Sequence, residues 1–391
     1  MSEKAIKKMI AESFGDIASA IETGQFGKRV KVGLTTLGSE HGIENLVKGA
    51  EMAACGADFD IVLIGPQVET ELDTAVADTE EEAYRVMEEL LDAKEIDGCV
   101  TMHYSFPIGV STVGRATTPG TGKEMFIATT TGTSATNRSE AMLRNALCGI
   151  VAAKAMGNPN PSVGILNLDN ARTVERALKE LSNGGYQINF GESMRADGGA
   201  VMRGNDLLTG SVDVMVTDTL TGNILMKVFS SYTTGGSYEA AGYGYGPGIG
   251  MDYERMVLIL SRASGAPVVA NALRYAAGLA KGDLRKVAKE EFSKAKASGL
   301  DKIISGLTKE EKPKEAQKVE MPEKEVVTGS VSGIDIMDLE DAVESLWKAG
   351  IYAESGMGCT GPMVMVSENR LQKALQVLAD AGYVSKESLP C

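Results

Sequence analysis

From residue 30 onward the chain alternates short apolar runs with longer stretches whose apolar residues recur every three or four positions. The runs at 30–34, 59–64, 99–102, 163–166, 187–190 and 212–216 are four to six residues long and rich in Val, Ile and Leu. That is the pattern of strands buried on both faces. Between them, residues 42–55, 79–94, 139–156, 171–181 and 222–230 carry helical spacing. Gly65-Pro66 stops one strand, and Thr79-x-x-Glu82 is a capping box that opens the next helix. A further apolar run at 256–260 reads as a strand, with a helix beginning near Ala266. Upstream, Ile6, Met9, Ile10, Ile17 and Ile21 predict an N-terminal helix capped by Ser2 and ended at Gly24. Strands that alternate with helices predict parallel βαβ units, and so an α/β fold with a mostly parallel sheet covered on both faces.

The alternation breaks after residue 307. Eleven of the eighteen residues from 308 to 325 are Lys or Glu, and Pro313 and Pro322 interrupt them, which predicts a linker over 308–330. A small α/β element follows over 331–391, with helices at 338–349 and 368–381, a loop at 352–360 and a strand at 363–366. The first 307 residues form the main α/β region, expected as two subdomains.

Composition narrows the function. The 391 residues are 43% apolar, enough for a sizeable core, with 45 Gly and only 5% aromatic residues. That balance suits tight βα turns better than an aromatic-lined sugar or nucleic-acid cleft. The net charge of −14 excludes nucleic acid and anionic membranes as main partners. An anionic small substrate would need Arg or Lys gathered in one place. Five cysteines without a CxxC and two distant histidines, His41 and His103, predict neither a disulfide framework nor a metal site. There is no run of 18 apolar residues and no signal-peptide pattern, so the expected location is the cytoplasm.

Two constellations carry chemistry. The first is Glu354-Ser-Gly-Met-Gly-Cys-Thr-Gly-Pro362. Gly356, Gly358 and Gly361 let backbone N–H groups converge near one thiol. Such donors favour the thiolate of Cys359, a good acyl acceptor whose thioester is a good acyl donor. The plainer alternative is a buried Cys in a glycine-rich turn. Cys55, Cys99 and Cys148 lie on apolar faces and read as core, and Cys391 is terminal.

The second constellation runs from Asp213 to Lys227. A strand delivers Asp218 to a sheet edge, Gly222 and Asn223 open a helix, and Lys227 sits one turn in. Ligands bind at the carboxyl ends of such strands, and helix N-termini favour phosphate. The plainer alternative is an Asp-capped helix with an exposed Lys. Arg262 falls between a strand and a helix, where a bidentate phosphate contact is natural, or it only decorates a surface turn. The alternating glycines 242, 244, 246, 248 and 250 imply a loop that moves or closes on a ligand. Gly120-Thr-Gly-Lys123 fails as a nucleotide loop, because Glu124 stands where Ser or Thr must hold magnesium. The hydroxyl-rich run 128–138, followed by Arg144, lines an anion cleft or is a polar loop; the residues alone leave both open.

These segments resemble known families. Val163-Gly-Ile-Leu-Asn167, Ile188-Asn-Phe190, Leu207-Leu-Thr-Gly-Ser-Val-Asp213, Asp218-x-x-x-Gly222-Asn223-x-x-x-Lys227 and Gly246-Pro-Gly-Ile-Gly250 resemble, in order, the phosphate acyltransferase of phospholipid synthesis. Ser261-Arg262 is similar to the Ser-Arg pair of phosphotransacetylases. From end to end, including the Cys359 loop, the chain is identified as a member of the alpha subunits of component C of the glycine/sarcosine/betaine reductase complex.

The resemblance implies a fold of the phosphotransacetylase / isocitrate dehydrogenase-like type and an acyltransferase role in amino-acid fermentation. An acetyl thioester derived from a carboxymethylated selenoprotein would be attacked by inorganic phosphate, releasing acetyl phosphate. Implied partners are a ketoacyl synthase-like beta subunit and selenoprotein A, with a homo-oligomer by analogy and no cofactor beyond the substrate phosphate. Cys359 matches the family's C-terminal thiol. Asn223, Lys227, Arg262 and Arg144 match the phosphate-handling positions. One departure stands out. Phosphotransacetylases carry an Asp seven residues after the Ser of the Ser-Arg pair, where this chain has Val268. That argues against coenzyme A as acceptor. A stand-alone coenzyme A-dependent phosphate acetyltransferase, an acyl-phosphate synthase that uses acyl carrier protein, and a non-catalytic partner of the beta subunit remain the alternatives.

Overall fold

The computed structural model describes residues 14, 17, 29–195, 198–308, 319–335, 338–358 and 361–384. The helix expected over residues 2–24, most of the charged linker, Cys359 and Cys391 lie outside the described residues.

The main region runs β1 (Val30–Thr35), α1 (Gly42–Ala54), β2 (Phe59–Gly65), β3 (Asp73–Val76), α2 (Glu80–Asp92), β4 (Gly98–Thr101), β5 (Val110–Thr117), β6 (Glu124–Thr133), α3 (Arg138–Ala155), β7 (Ser162–Leu166) and α4 (Ala171–Asn183). It continues with β8 (Asn189–Phe190), β9 (Val201–Met202), α5 (Gly204–Thr209), β10 (Val214–Val216), α6 (Thr219–Ser231), β11 (Gly246–Ile249), β12 (Val257–Ile259), α7 (Ala266–Lys281), α8 (Leu284–Ala297) and α9 (Leu300–Leu307). These strands form one twelve-stranded sheet in the order β3-β2-β1-β4-β12-β11-β5-β6-β10-β7-β8, with β9 also paired to β7. The fold class is α/β, as the alternation predicts.

The sheet has two parallel halves. In one, β1 pairs in parallel with β2 and β4, and β12 with β4. In the other, β10 pairs in parallel with β6 and β7. Antiparallel β11 and the antiparallel β5–β6 hairpin splice them. The sequence pattern does not show β5 and β6 as strands, because their polar Thr and Ser break the apolar run. Those hydroxyls are internally bonded instead: Thr130 donates to the Tyr245 carbonyl at 2.7 Å. Gly120-Thr-Gly-Lys123 is the turn of this hairpin, with Gly122 N–H donating to the Thr118 carbonyl.

The core lies on both faces of the sheet. Strands β1, β2, β4 and β12 are buried along most of their length. Helix α3 is buried on nearly every side, consistent with its all-round apolar sequence, and packs between the sheet and α8. Helices α8 and α9 are not anticipated by the pattern reading.

The glycine-rich stretch is not the mobile loop the sequence suggests. Residues 246–249 are strand β11, and Gly246 adopts φ +82° where an added Cβ would lie 1.8 Å from the Val113 carbonyl oxygen. Here the glycine is required both by backbone conformation and by close approach. Gly246→Ala is expected to cost about 3 kcal/mol, from overpacking plus the strained φ. Chemical denaturation would show this as a lower midpoint at an unchanged slope.

The C-terminal element comprises β13 (Gly329–Ser332), α10 (Leu339–Lys348), β14 (Ala353–Gly358), β15 (Gly361–Val366) and α11 (Leu371–Asp380). Its three strands are antiparallel, in the order β13-β15-β14, and with the two helices they enclose a separate small core. The expected loop at 352–360 is therefore mostly strand. Its alternating small and polar residues hide the pattern, while pairing to Met363 and Val364 supplies the order.

Candidate functional site

Strand β10 is fully buried and delivers Asp218 to the start of α6. The Asp218 side chain accepts the Thr221 backbone N–H at 2.8 Å and the Thr221 hydroxyl at 3.1 Å, and pairs with Arg138 at 2.9 Å. Burial pushes the Asp218 carboxyl up, but the Thr221 amide and Arg138 outweigh it and hold it below its usual value. The helix therefore begins at Thr219, not at Gly222, and one of its first-turn amides, that of Thr221, is answered by the chain's own carboxylate. This is the Asp-capped helix of the plainer sequence reading, in which Asp218 serves as a cap. Gly222 is a packing residue: an added Cβ would meet the Thr129 carbonyl oxygen at 1.7 Å, so α6 lies directly on β6.

One turn further along α6, Asn223 and Lys227 line a cavity of about 320 Å³. Its other walls are Glu40, Met102, Thr131, Tyr245 and residues 259–262. Strands β1, β4 and β12 are parallel and all run toward it: Glu40 follows β1, Met102 follows β4, and Ser261-Arg262 follow β12. The place is the ligand position of open α/β sheets, beyond the carboxyl ends of the strands. Asn223 donates to the Thr130 carbonyl at 3.1 Å, which fixes α6 against β6 beside the cavity. The Arg262 carbonyl accepts the Glu40 N–H at 2.9 Å, which ties its loop to the β1 loop. Its guanidinium is exposed and makes no ion pair among the described residues. Lys227 Nζ lies 5.7 Å from the centre of the Tyr245 ring and 3.8 Å from Glu239 Oε1. Burial, followed by the Glu239 charge, pushes the Tyr245 phenol well above its usual value. It stays protonated and serves as a donor.

The structure thus brings together Asn223, Lys227 and Arg262. It does not bring Arg144 to them. Arg144 lines a different cavity, of about 450 Å³, with Asp252, Lys296 and Asp301, and its Nε is bonded to Glu140 at 2.8 Å. Helical spacing from Asn137 carries it about two turns along α3, away from the hydroxyl run. Of that run, Thr131 reaches the cavity, while Thr129 and Thr130 are buried in the sheet.

The thiols separate clearly. Cys99 and Cys148 are buried, and burial pushes both thiols up, Cys148 to about 12. Cys55 is exposed at the end of α1 and is not core, a correction to the apolar-face reading. Cys359 lies outside the described residues. Gly358 and Gly361 pair across the β14–β15 hairpin on either side of it, and Gly356 pairs with Met363, so Gly356 belongs to a ladder and not to a free loop. The C-terminal element rests on α4: Arg176 pairs with Asp338 at 2.9 Å and donates to the Gly382 carbonyl at 2.7 Å. None of its described residues lines the Lys227 cavity.

Glu40, Tyr245 and Glu239 are the residues that sequence reasoning misses. Tyr245 sits among the alternating glycines, which drew attention to the backbone and not to the side chain between them. Glu239 carries no local signal at all. No helix among the described residues is long and apolar enough to cross a membrane.

Comparison with known proteins follows this geometry. Residues 30–365 match a family described as "Fatty acid synthesis protein". A glycine/sarcosine/betaine reductase complex component C subunit alpha from Peptoclostridium acidaminophilum is 67% identical over 382 residues, covering 97% of this chain and 99% of that one. A phosphate acyltransferase from Thermotoga petrophila is 26% identical over 236 residues, covering 51% of this chain and 67% of that one. Among solved structures, a branched-chain phosphotransacylase from Enterococcus faecalis V583 matches with a TM-score of 0.46 and 17% identity, covering 64% of this chain and 99% of that one.

Proposed function

The chain belongs to the family of alpha subunits of component C of the glycine/sarcosine/betaine reductase complex, and on that premise we propose that it releases acetyl phosphate by phosphorolysis of a protein-bound acetyl thioester. The observation that carries the reading is the cavity where Lys227 and Arg262 meet at the carboxyl ends of β1, β4 and β12. In a chain of net charge −14, two cations at one cleft form a local exception suited to a small anion. About 320 Å³ is ample for a phosphate and an acetyl group.

Phosphate docks on Lys227 and Arg262, with Asn223 and Thr131 beside it. Its oxygen attacks the thioester carbonyl. A carbon–oxygen bond forms, the carbon–sulfur bond breaks, and the sulfur leaves as thiolate. The two cations offset the charge that gathers on the transferring group. Cys359 carries or exchanges the acetyl group. A ketoacyl synthase-like beta subunit and selenoprotein A are the proteins expected to supply the acyl group, and the expected setting is cytoplasmic.

Val268 favours this over a coenzyme A-dependent enzyme. It is wholly buried in the first turn of α7, so no carboxylate stands there to deprotonate coenzyme A. The deciding experiment is acetyl-phosphate arsenolysis by the chain with and without coenzyme A, alone and with its beta subunit. Turnover that needs the protein thiol and not coenzyme A is expected. Turnover that requires coenzyme A would replace the reading with the stand-alone enzyme. No turnover under any condition would leave a non-catalytic partner.

A further inference from the structure

Glu239 is a carboxylate that the mechanism above does not use, only 4% exposed and set directly behind the cavity wall. Its Oε2 accepts the Ser264 hydroxyl at 3.0 Å. Its Oε1 lies 3.5 Å from the Tyr245 hydroxyl and 3.8 Å from Lys227 Nζ. Its backbone is fixed as well: its N–H donates to the Ala263 carbonyl at 3.0 Å, and its carbonyl accepts the Gly265 N–H at 2.8 Å. The residue therefore joins the loop that carries Arg262 to the helix that carries Lys227.

A carboxylate this buried is held by one short hydrogen bond from Ser264, a long one from Tyr245 and a long ion pair to Lys227, and so is only loosely compensated. A fully structural carboxylate in the same protein looks different. Asp206 accepts two backbone amides and two hydroxyls, all between 2.8 and 3.1 Å. What Glu239 has instead is a long approach to the one lysine of the cavity.

Building on the proposed phosphate cleft, we propose that Glu239 is a positioning residue for Lys227 and a resident anion that competes with phosphate for it. In the empty cleft the carboxylate holds the ammonium toward Tyr245. When phosphate enters, the ammonium turns to the stronger anion, and Glu239 then weakens the hold on the bound anion. This keeps phosphate affinity modest and lets acyl phosphate leave.

Glu239→Gln keeps the shape and an acceptor for Ser264 but removes the charge. Calorimetric titration of inorganic phosphate into the full chain is expected to show about tenfold tighter binding for this variant than for wild type, because one nearby negative charge is gone. In steady-state phosphorolysis, KM for phosphate falls and kcat falls with it, a split that simple loss of folded protein does not produce. Glu239→Asp, which keeps the charge, is expected to stay within about threefold of wild type in phosphate affinity. In the wild type itself, the ε-methylene NMR signal of Lys227, assigned by its loss in Lys227→Met, shifts with phosphate at the calorimetric constant. Unchanged or weaker phosphate binding by folded Glu239→Gln overturns the inference alone, as does a silent Lys227 signal in a wild type that binds phosphate. A wild type that does not bind phosphate overturns the proposed function, and this inference with it.

Discussion

Lys227→Met is expected to lower kcat/KM for phosphate about a thousandfold, most of it through weaker transition-state binding. Lys227 is the one lysine that lines the cavity, and methionine nearly matches its length. The lost term is a full positive charge next to a group that carries two negative ones. In a partly dry cleft, one such donor is worth about 4 kcal/mol in the barrier. The fold is expected to survive, because more than half of the side chain is exposed. A modest loss of stability is expected from Glu239, left without its cation. Arg262→Gln acts in the same direction but more weakly, since its guanidinium sits at the exposed mouth. Arg144→Gln is the internal control, because that residue serves the other cavity. Initial rates across a phosphate series measure all three. A Lys227→Met enzyme with more than a tenth of wild-type kcat/KM would remove the cavity from the chemistry.

Cys359→Ala is expected to abolish the acetyl adduct on the chain and to reduce acetyl-phosphate turnover by at least about a thousandfold, the scale on which removal of a covalent nucleophile acts. The reasoning is chemical. A thiolate exchanges acyl groups readily, and none of the three described thiols is suited to it. Cys99 and Cys148 are sealed in the core with their protons held by burial. Cys55 is exposed but caps a helix end at the far side of α1, and it does not line the Lys227 cavity. Mass spectrometry after incubation with acetyl phosphate reads the adduct, about 42 daltons for one acetyl group. Label on Cys55 alone, or wild-type turnover by Cys359→Ala, would sink the assignment.

The parts of the fold that could be read from sequence are those in which burial leaves a regular trace. Strands β1, β2, β4, β7 and β10 are apolar because helices cover both of their faces, and each is visible as a run. Strands β5 and β6 are equally buried, yet they carry Ser111, Thr112, Thr129 and Thr130, whose hydroxyls bond to one another, to backbone carbonyls and, for Ser111, to the Asn145 side chain. Polarity on the page did not mean exposure in the fold. The same holds for the site. Asn223, Lys227 and Arg262 were legible because strand ends and helix turns place them by simple geometry. The helix start is ambiguous in the sequence because Asp218 and Gly222, four residues apart, can each open a helix, and only the bond from the Thr221 amide decides for Asp218. Glu239 was invisible because its role depends on contacts with α6 and the β12 loop, which are twelve and more residues away along the chain.

The splice at β11 bears on how the cleft can change width. Gly246 and Pro247 pair with β12, and Gly248 and Ile249 pair with β5. The strand ladder between the two half-sheets thus passes through four residues, one of them a proline that has no N–H to give. This waist is braced by the core that both halves share and by Tyr275 of α7, which donates to the Val113 carbonyl of β5. Lys227 rides on the half that holds β6, and Arg262 follows β12 on the other. Twisting the waist would therefore alter the spacing of the two cations while leaving each wall intact.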